Sequence, residues 1–240
     1  MTKYAVVTGA DRGVGLALVR EFVERGFHVF AGQYMPHQGQ LEALQVQFPN
    51  QIEVVQLNVA DDASVQAAAK YVMSKTDKLD MLVNNAAILG KIDDSILDEE
   101  MDFDQILQVI NVTGLGALRV THALIKPILN SEHKLVANIS SEAGSIGQCY
   151  RTGWYGYAMA KAALNMHAVT THNCIQEQGG QVMNFHPGWV KSYLSGTYTD
   201  RATLTPEQSA ADLIKLIMDH KNYVGDKPAY IDNEGHTQLW

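Results

Sequence analysis

The chain has 240 residues, of which 46% are hydrophobic and 18% are charged, and its formal net charge is −8. This length is sufficient for one large domain with a substantial core. The acidic balance and the lack of a Lys/Arg stripe argue against nucleic acid or an anionic membrane as the main partner. No apolar run approaches the ~20 residues of a membrane-spanning helix. We therefore expect a single domain over residues 1–240 that binds neither nucleic acid nor a membrane.

The ends and the cysteines bear on the compartment. The first residues, MTKYAVVTGA, enter a strand at once, so we expect no signal peptide and a cytoplasmic location. Cys149 and Cys174 lack the spacing of metal ligands and are expected to be free thiols in a reducing environment. The nine histidines are scattered without a His-x-x-x-His pair, so no metal site is expected.

A glycine-rich turn near the start is typical of a phosphate-binding site. An apolar run at 4–8 predicts a buried strand, TGADRGVG follows at 8–15, and apolar residues at helical spacing come next. Gly9 permits the tight turn, Gly13 lets the backbone approach a pyrophosphate, and Gly15 allows close helix packing. The N-terminus of the helix then offers free N–H groups to the anion.

Strands and helices alternate along the rest of the chain. Further strands are predicted at 28–32, 52–57, 79–84, 134–139 and 181–185. Helices are predicted at 38–47, 62–75, 100–129, 155–178 and 206–220. This alternation indicates an α/β fold of the Rossmann type, a doubly wound parallel sheet of about seven strands with helices on both faces. Ligands of such sheets bind at the carboxyl ends of the strands.

Tyr157 and Lys161 stand one helical turn apart in a segment rich in helix-forming residues. An ammonium group near a phenol favours the phenolate and lowers the pKa of the tyrosine. A tyrosine tuned in this way can exchange a proton with a substrate oxygen. The spacing alone is weak evidence, because it also occurs at Tyr71/Lys75 and at Tyr223/Lys227. The former lies on a polar predicted helix and the latter spans a Gly-Asp turn, so we expect neither to be catalytic.

Seven motifs in order resemble those of the classical short-chain dehydrogenases/reductases over essentially the whole chain. They are TGADRGVG at 8–15, LNVAD at 57–61, NNAA at 84–87, Asn111 in VINVTG, Ser140-Ser141, Tyr157/Lys161 and HPGWVKS at 186–192. The stretches NISSEAGSIG and YAMAKAALNM and the Gly-to-Trp tail are similar to the C-factor/sniffer branch, which is carbonyl-reductase-like. The resemblance implies an NAD(P)(H)-dependent oxidoreductase that interconverts a small-molecule carbonyl and an alcohol by hydride transfer. It also implies a homodimer or homotetramer joined through the helices at 100–129 and 155–178.

The same resemblance implies four catalytic residues. Tyr157 would be the general acid/base, and Lys161 would lower its pKa and hold the nicotinamide ribose. Asn111 would hold a water that links the lysine to solvent. Ser141 would donate a hydrogen bond to the substrate oxygen as negative charge develops there.

The serine assignment has two alternatives, Ser140 and Ser145. Ser145 stands at a distance from the tyrosine that is closer to the common family spacing. We favour Ser141 because the catalytic serine follows the strand and the loop up to the tyrosine varies in length.

The resemblance also implies a set of cofactor-binding residues. They are Gly9, Asp11, Arg12, Gly13, Val14, Gly15, Gln33, Asn58, Val59, Asn85, Ala86, Tyr157, Lys161, Pro187, Gly188, Val190 and Ser192. Three positions depart from the family pattern: Asn58 replaces an aspartate, Ala87 a glycine and Ser192 a threonine. Each replacement stays small or polar, so we expect cofactor binding to be kept.

Cofactor preference is expected to favour NADP(H) over NAD(H). Enzymes that use NAD carry an acid at the end of the second strand, where this chain has the uncharged Gln33. Arg12 stands in the turn where NADP-dependent relatives often hold a basic residue, and its guanidinium can pair with the 2′-phosphate. Tyr34 takes the place of a second arginine that many of those relatives have.

Residues 188–205 are polar and without clear period, and we interpret them as a substrate loop able to close over the site. Two other functions fit the sequence less well. A nucleotide-binding regulator of the same fold would have no use for Tyr157. A sugar-nucleotide epimerase of the extended type has a longer chain and a Gly-x-x-Gly-x-x-Gly turn, neither of which fits.

Overall fold

The computed structural model describes residues 2–240. Its sheet has seven strands: β1 (Lys3–Val7), β2 (Phe27–Gln33), β3 (Ile52–Gln56), β4 (Met81–Asn84), β5 (Leu135–Ile139), β6 (Gln181–His186) and β7 (Ala229–Asp232). All neighbours pair in parallel, and the spatial order is β3-β2-β1-β4-β5-β6-β7. The predicted doubly wound fold is confirmed.

The α-helices are α1 (Gly13–Glu24), α2 (Gln40–Gln47), α3 (Asp62–Lys75), α4 (Phe103–Ile110), α5 (Gly116–Leu129), α6 (Tyr155–Ile175) and α7 (Pro206–Met218). Two apolar cores lie on opposite faces of the sheet. One joins α1, α2 and α7 through side chains such as Phe22, Leu44 and Leu213. The other joins α3, α5 and α6 through side chains such as Val65 and Leu124. Burial on both faces explains why the strands are nearly continuous apolar runs.

The predicted strands agree with the observed ones to within two residues at each end, whereas β7 was not located from the sequence. Its four residues, AYID, contribute a single buried pair, Tyr230 and Ile231. Such a short run shows no period, and only its pairing with β6 makes it a strand.

The helix predicted at 100–129 runs without a break from Phe103 to Leu129, but it is not α-helical throughout. It consists of α4, a π-helical segment at Asn111–Leu115, and α5. Asp102 caps α4 by accepting a hydrogen bond from the Gln105 N–H, so the helix begins later than predicted. The π segment inserts wider turns that hydropathy spacing does not reveal, and such segments often occur at functional sites.

The β1–β4 boundary is the point where the strand order reverses. From β1 the chain proceeds through β2 to β3 on one side, and then crosses to β4 on the other. A crevice opens at the carboxyl ends of the strands at such a switch point. The glycine loop after β1 and the Asn-Asn segment after β4 both lie there.

Candidate active site

The glycine loop closes tightly against the end of β4. Gly9 has a φ of +63°, in the left-handed region that favours glycine. Asn85 Nδ2 donates to the carbonyl oxygens of Thr8 (2.9 Å) and Gly9 (3.0 Å). A Cβ on Gly15 would stand 2.1 Å from the Gly9 carbonyl oxygen and 2.5 Å from Asn85 Nδ2. Glycine is therefore required at these positions, as predicted for Gly9 and Gly15.

Helix α1 begins at Gly13, and no side chain caps its first N–H groups. The residue before it, Arg12, makes no side-chain capping hydrogen bond. A Cβ on Gly13, whose φ is +59°, would meet nothing within 4 Å. Uncapped N–H groups at the positive end of a helix dipole suit a pyrophosphate. This open cradle fits a dinucleotide cofactor, and the backbone contacts expected from Gly13, Val14 and Gly15 stay a prediction.

The end of β2 lies beside a carboxylate, although the sequence analysis identified only the uncharged Gln33 there. Gln33 is buried, and its Nε2 donates to Glu42 Oε1 on α2 at 2.9 Å. The other carboxylate oxygen of Glu42 is buried without a hydrogen-bond partner. On the opposite side, Arg12 NH1 lies 3.4 Å from His37 Nδ1, and Arg12 Nε lies 3.8 Å from Asp11 Oδ2. The region thus holds both basic groups and an acid that the sequence did not point to.

The remaining predicted cofactor residues lie on the loops that follow β3, β4 and β6. Asn58 caps its own loop by accepting from the Ala60 N–H at 3.1 Å. Ala86 N–H donates to Thr8 Oγ1 at 3.0 Å. Val59 packs closely against Gly116, because a Cβ added to Gly116 would stand 2.8 Å from Val59 Cγ2.

The segment after β6 is anchored at its start. Pro187 C=O accepts from the Ser209 hydroxyl on α7 at 2.7 Å, and Gly188 adopts a φ of +79°. Val190 bridges to Leu204, and Ser192 bridges to Thr199, so the predicted substrate loop at 188–205 is held by its own backbone pairs.

This loop contacts the cofactor crevice at two places. Leu89 N–H, after β4, donates to the Leu194 carbonyl oxygen at 3.3 Å. The ring centres of Tyr193 and His37 lie 4.8 Å apart. A loop that touches both sides of the crevice is suited to cover what binds in it.

Tyr157 and Lys161 are buried together in the first turns of α6. Tyr157 is 7% exposed and Lys161 is 2% exposed, and Lys161 Nζ lies 5.5 Å from the centre of the tyrosine ring. Nζ donates to the Ile139 carbonyl oxygen, the last residue of β5, at 2.6 Å. Helix α6 therefore aims both groups at the carboxyl edge of the sheet.

Burial sets the acidity of both groups. It raises the pKa of the Tyr157 phenol above its ordinary value, and the neighbouring Ser141 hydroxyl offsets only part of this. Burial lowers the pKa of Lys161 to about 7. The sequence led us to expect that the ammonium would lower the pKa of the tyrosine. The structure differs because desolvation acts against the charged forms of both groups.

The three candidate serines have different surroundings. The Ser140 hydroxyl is buried and donates to Asn165 Oδ1 at 2.6 Å. The Ser145 hydroxyl lies 3.5 Å from the Trp240 carbonyl oxygen and accepts from the Gln148 N–H. The Ser141 hydroxyl accepts from the Ala143 N–H at 3.2 Å and neighbours the Tyr157 phenol. Of the three, Ser141 is the one beside the tyrosine.

Asn111 begins the π segment, where its side-chain Nδ2 lies 3.4 Å from the Ala60 carbonyl oxygen. Its own carbonyl oxygen accepts from Arg119 NH1 at 3.2 Å. These contacts place the amide at the loop after β3. The predicted role of Asn111 in a proton relay from Lys161 stays a prediction.

A chain of buried asparagines supports the site, and the sequence analysis missed it. Asn84, Asn138 and Asn184 stand side by side on β4, β5 and β6, and each amide donates to the next at 2.9 Å. Asn184 Nδ2 then donates to Asn165 Oδ1 on α6 at 2.9 Å, and Asn165 Nδ2 donates to the Gly144 carbonyl oxygen at 3.1 Å. The signal was an asparagine at corresponding places in three apolar runs.

The sequence analysis also missed an ion pair next to Ser141. The Ser141 hydroxyl donates to Glu142 Oε2 at 2.6 Å, and Arg151 pairs with the other carboxylate oxygen of Glu142. Against the effect of burial, the hydrogen bond from Ser141 and the nearby His186 and Arg151 lower the pKa of Glu142. The charged carboxylate therefore belongs to the surroundings of the candidate catalytic groups.

Two features of residues 2–240 bear on other classes of function. None of the helices there has the length and apolar character needed to cross a membrane. The same residues contain no cluster of three or more His, Cys, Asp or Glu side chains able to hold a metal ion. Cys149 and Cys174 are both exposed free thiols. The cytoplasmic location stays a prediction.

Comparison with known proteins gives concordant results. A family profile described as short chain dehydrogenase matches residues 3–202. The chain is 32% identical over 215 residues to 1-hydroxy-2-glutathionyl-2-methyl-3-butene dehydrogenase of Rhodococcus sp. (strain AD45), covering 88% of this chain and 89% of that one. Its fold resembles the NADPH-bound carbonyl reductase from chicken fatty liver, with a TM-score of 0.86, 29% identity and coverage of 100% and 94% of the two chains. A Burkholderia multivorans structure with bound NADP has a TM-score of 0.88 at 22% identity, and both chains are covered completely.

Proposed function

The chain belongs to the short-chain dehydrogenase/reductase family and is an oxidoreductase, and from this premise we propose that it interconverts a carbonyl and an alcohol with Tyr157 as general acid/base. The observation that carries this proposal is the buried grouping of Tyr157, Lys161 and Ser141 at the carboxyl edge of the sheet. The open, uncapped glycine loop lies at the same edge. A site for chemistry and a cradle for a dinucleotide thus share one crevice.

The nicotinamide ring of the cofactor supplies the hydride that reduces the carbonyl carbon. The protein acts on the oxygen. Ser141 donates a hydrogen bond to it, and Tyr157 transfers its phenolic proton to it, so that the alcohol forms and a phenolate remains. The raised pKa keeps the phenol protonated at neutral pH, which suits proton donation in the direction of reduction.

Lys161 also takes part in the proton transfer. Its pKa of about 7 allows it to gain and lose a proton near neutral pH, so it can return a proton toward Tyr157 after each turnover. Asn111, where the helix widens, would continue this path to solvent. In the oxidation of an alcohol the same protons move in the opposite direction.

The test is the consumption of NADPH and NADH with a panel of aldehydes and diketones. We expect turnover with at least one carbonyl class by the wild type and a large loss in Tyr157→Phe. The rival function is a regulator that binds the nucleotide without turning it over. It predicts cofactor binding by calorimetry, but no carbonyl-dependent consumption of NADPH or NADH.

For the cofactor we propose a preference for NADP(H) over NAD(H). Arg12 and His37 provide two basic groups beside the end of β2, in support of a 2′-phosphate. Relatives in structure bind NADPH or NADP. Glu42, hydrogen bonded to Gln33, acts against it by charge repulsion.

Two variants test these opposing charges. Arg12→Ala should weaken NADPH binding more than NADH binding, whereas Glu42→Gln should strengthen NADPH binding. The dissociation constants of both cofactors are measured for each variant. An unchanged ratio in Arg12→Ala, or equal use of NADH by the wild type, would contradict the preference.

We also propose that the chain is a homodimer or homotetramer joined through α4, α5 and α6. These helices and the π segment between α4 and α5 expose large apolar side chains, namely Phe103, Leu107, Leu115, Leu118, Met159 and Met166. Exposed apolar surface, where it is contiguous, marks an interaction site. Light scattering at micromolar concentration checks the mass, and a monomer would refute the proposal. Met166→Glu should shift the wild-type assembly toward monomer.

A further inference from the structure

The turn after β5 places a charged pair directly beside the candidate catalytic serine. Glu142 begins the short 3-10 turn Glu142–Gly144. Its Oε2 accepts a hydrogen bond from the Ser141 hydroxyl, with 2.6 Å between the two oxygens. Its own backbone N–H donates to His186 Nδ1, at 3.4 Å. The carboxylate is thereby tied to the one hydroxyl that has to reach the substrate oxygen.

Arg151 balances this carboxylate from the loop before α6. It pairs with Glu142, and its guanidinium lies 4.9 Å from the ring centres of both Tyr150 and Trp154. Trp154 in turn meets the ring of Tyr157 edge-on, with the ring centres 6.0 Å apart. The Arg151 side chain is only 11% exposed, so its charge acts in a partly desolvated place. The pair therefore extends from the serine to the tyrosine.

We propose that Glu142 and Arg151 are positioning residues for the reaction: Glu142 holds the Ser141 hydroxyl proton before substrate binds, and Arg151 neutralises Glu142 so that this proton can turn to the substrate oxygen as negative charge develops there. The inference rests on the proposed function, because it assigns these residues to the same carbonyl chemistry. It adds to Ser141, Tyr157 and Lys161 two residues that act through them.

The physical reason is the sign of each charge. An uncompensated carboxylate next to Ser141 would oppose an oxyanion there and would make the phenol a weaker acid. The pKa of Tyr157 responds in these senses, since Glu142 raises it and Arg151 lowers it. The other polar and ionisable groups that face the phenol are Lys161 on its own helix, Tyr230 on β7 and Ser141. His186, after β6, faces Glu142.

The test is a double-mutant cycle of Arg151→Met, Glu142→Gln and the double variant. Arg151→Met should lower kcat for carbonyl reduction by about tenfold and shift the pH profile upward by about one unit, the effect of losing one nearby charge. Glu142→Gln should shift the profile downward. The double variant, in which neither charge remains, should return to within about threefold of the wild type. Arg25→Met, which removes a cation that pairs with Glu21 directly after α1, is the matched control.

A spectroscopic readout separates this inference from the proposed function. The onset of the tyrosinate absorbance that is lost in Tyr157→Phe, followed up to the pH at which the fold is lost, reports the acidity of Tyr157 without any substrate. It should move upward in Arg151→Met and back in the double variant. If the titration follows the cycle but no carbonyl is turned over, the pair is real and the proposed function fails. If Arg151→Met folds, by circular dichroism, yet leaves the titration unmoved, or if Glu142→Gln does not rescue it, the inference is overturned.

Discussion

Two tyrosine–lysine pairs with the same spacing occupy very different places in this fold. Tyr157/Lys161 begins α6 and Tyr71/Lys75 ends α3. In both, the lysine Nζ lies over the tyrosine ring, 5.5 Å from its centre in the first pair and 5.2 Å in the second. The local geometry that a helix imposes on residues four apart is therefore nearly identical.

The surroundings of the two pairs differ. Tyr157 is 7% exposed and Tyr71 is 40% exposed. The Tyr71 hydroxyl donates to Glu53, which also lies 3.7 Å from Lys75. The pKa of both tyrosines is raised, by the hydrogen bond to Glu53 in Tyr71 and by burial in Tyr157. A motif becomes a candidate site through burial and neighbours at a sheet edge, and the spacing alone does not provide either.

The largest expected difference between the pairs is in turnover. Tyr157→Phe keeps the ring and removes the proton, so we expect a loss of roughly 10²–10⁴ in kcat, the usual contribution of a positioned acid/base. Cofactor affinity should stay nearly intact. Steady-state rates of carbonyl reduction and calorimetric binding of NADPH measure the two quantities.

Tyr71→Phe and Tyr223→Phe are the matched controls, and both should retain wild-type rates. If Tyr157→Phe turns over like the wild type, the comparison loses its basis. A comparable loss in Tyr71→Phe would mean that exposure does not separate the pairs.

The next effect concerns the serine that accompanies only the buried pair. Ser141→Ala should cost about 2–4 kcal/mol of transition-state stabilisation, as the loss of one oxyanion donor does. The change is measured as kcat/KM for a carbonyl substrate. Ser145, which bonds to Gln148 and faces Trp240, should contribute much less when changed to Ala. The reverse order would make Ser145 the donor.

Part of this site could be predicted from the sequence. Tyr157 and the glycine turn were found because each belongs to a pattern of residues that are close together in the chain. Glu142 and Arg151 are near Ser141 in sequence, yet their pairing depends on how the loop before α6 returns to the sheet. The sign of the Tyr157 pKa shift could not be predicted either, since it depends on burial by distant elements.

The fold shows the same division. Periodicity located six strands because each is an apolar run buried on two faces. The short strand β7 and the π segment at Asn111–Leu115 carry no periodic signal, and their identity comes from pairing and packing. Glu42 beside Gln33 is a further example, because it comes from a helix that folds back onto β2.

A third prediction concerns the contributions of Lys161 and Lys75 to the pH dependence of folding stability. The pKa of Lys161 is lowered from 10.5 to about 7 in the folded protein. Between these values the unfolded chain binds more protons, so this group contributes a penalty that is full below pH 7 and is relieved as pH rises. We expect the stability of the wild type relative to Lys161→Met to rise by about 2 kcal/mol from pH 7 to pH 9.

Urea unfolding at several pH values measures this slope. Lys75→Met is the control and should show a flat difference, because the Lys75 side chain is 47% exposed. A flat difference for Lys161→Met would mean that the amine stays protonated in the folded protein, with a pKa near that of the unfolded chain. A slope in the opposite sense would contradict the assigned burial.

The smallest expected effect lies at the exposed pair itself. Burial alone would raise the pKa of Glu53, but hydrogen bonds from Tyr71 and His28 and the charge of Lys75 lower it below its ordinary value of 4.5. A carboxylate with a lowered pKa stabilises the fold above pH 4.5, and this contribution is lost as the pH falls through the folded value. Because the partners are largely solvated, the contribution should stay below about 1 kcal/mol.

Glu53→Gln tests this contribution, since it removes the charge and keeps the shape. Its stability deficit at pH 7 should be small, should shrink below pH 4.5, and should leave carbonyl reduction unchanged. Tyr71→Phe, combined with Glu53→Gln in a double-mutant cycle, isolates the hydrogen bond between them. If Glu53→Gln lowers the rate as Tyr157→Phe is expected to, the exposed pair takes part in the chemistry. The division between the two regions would then fail, because an identical spacing would have produced two active pairs.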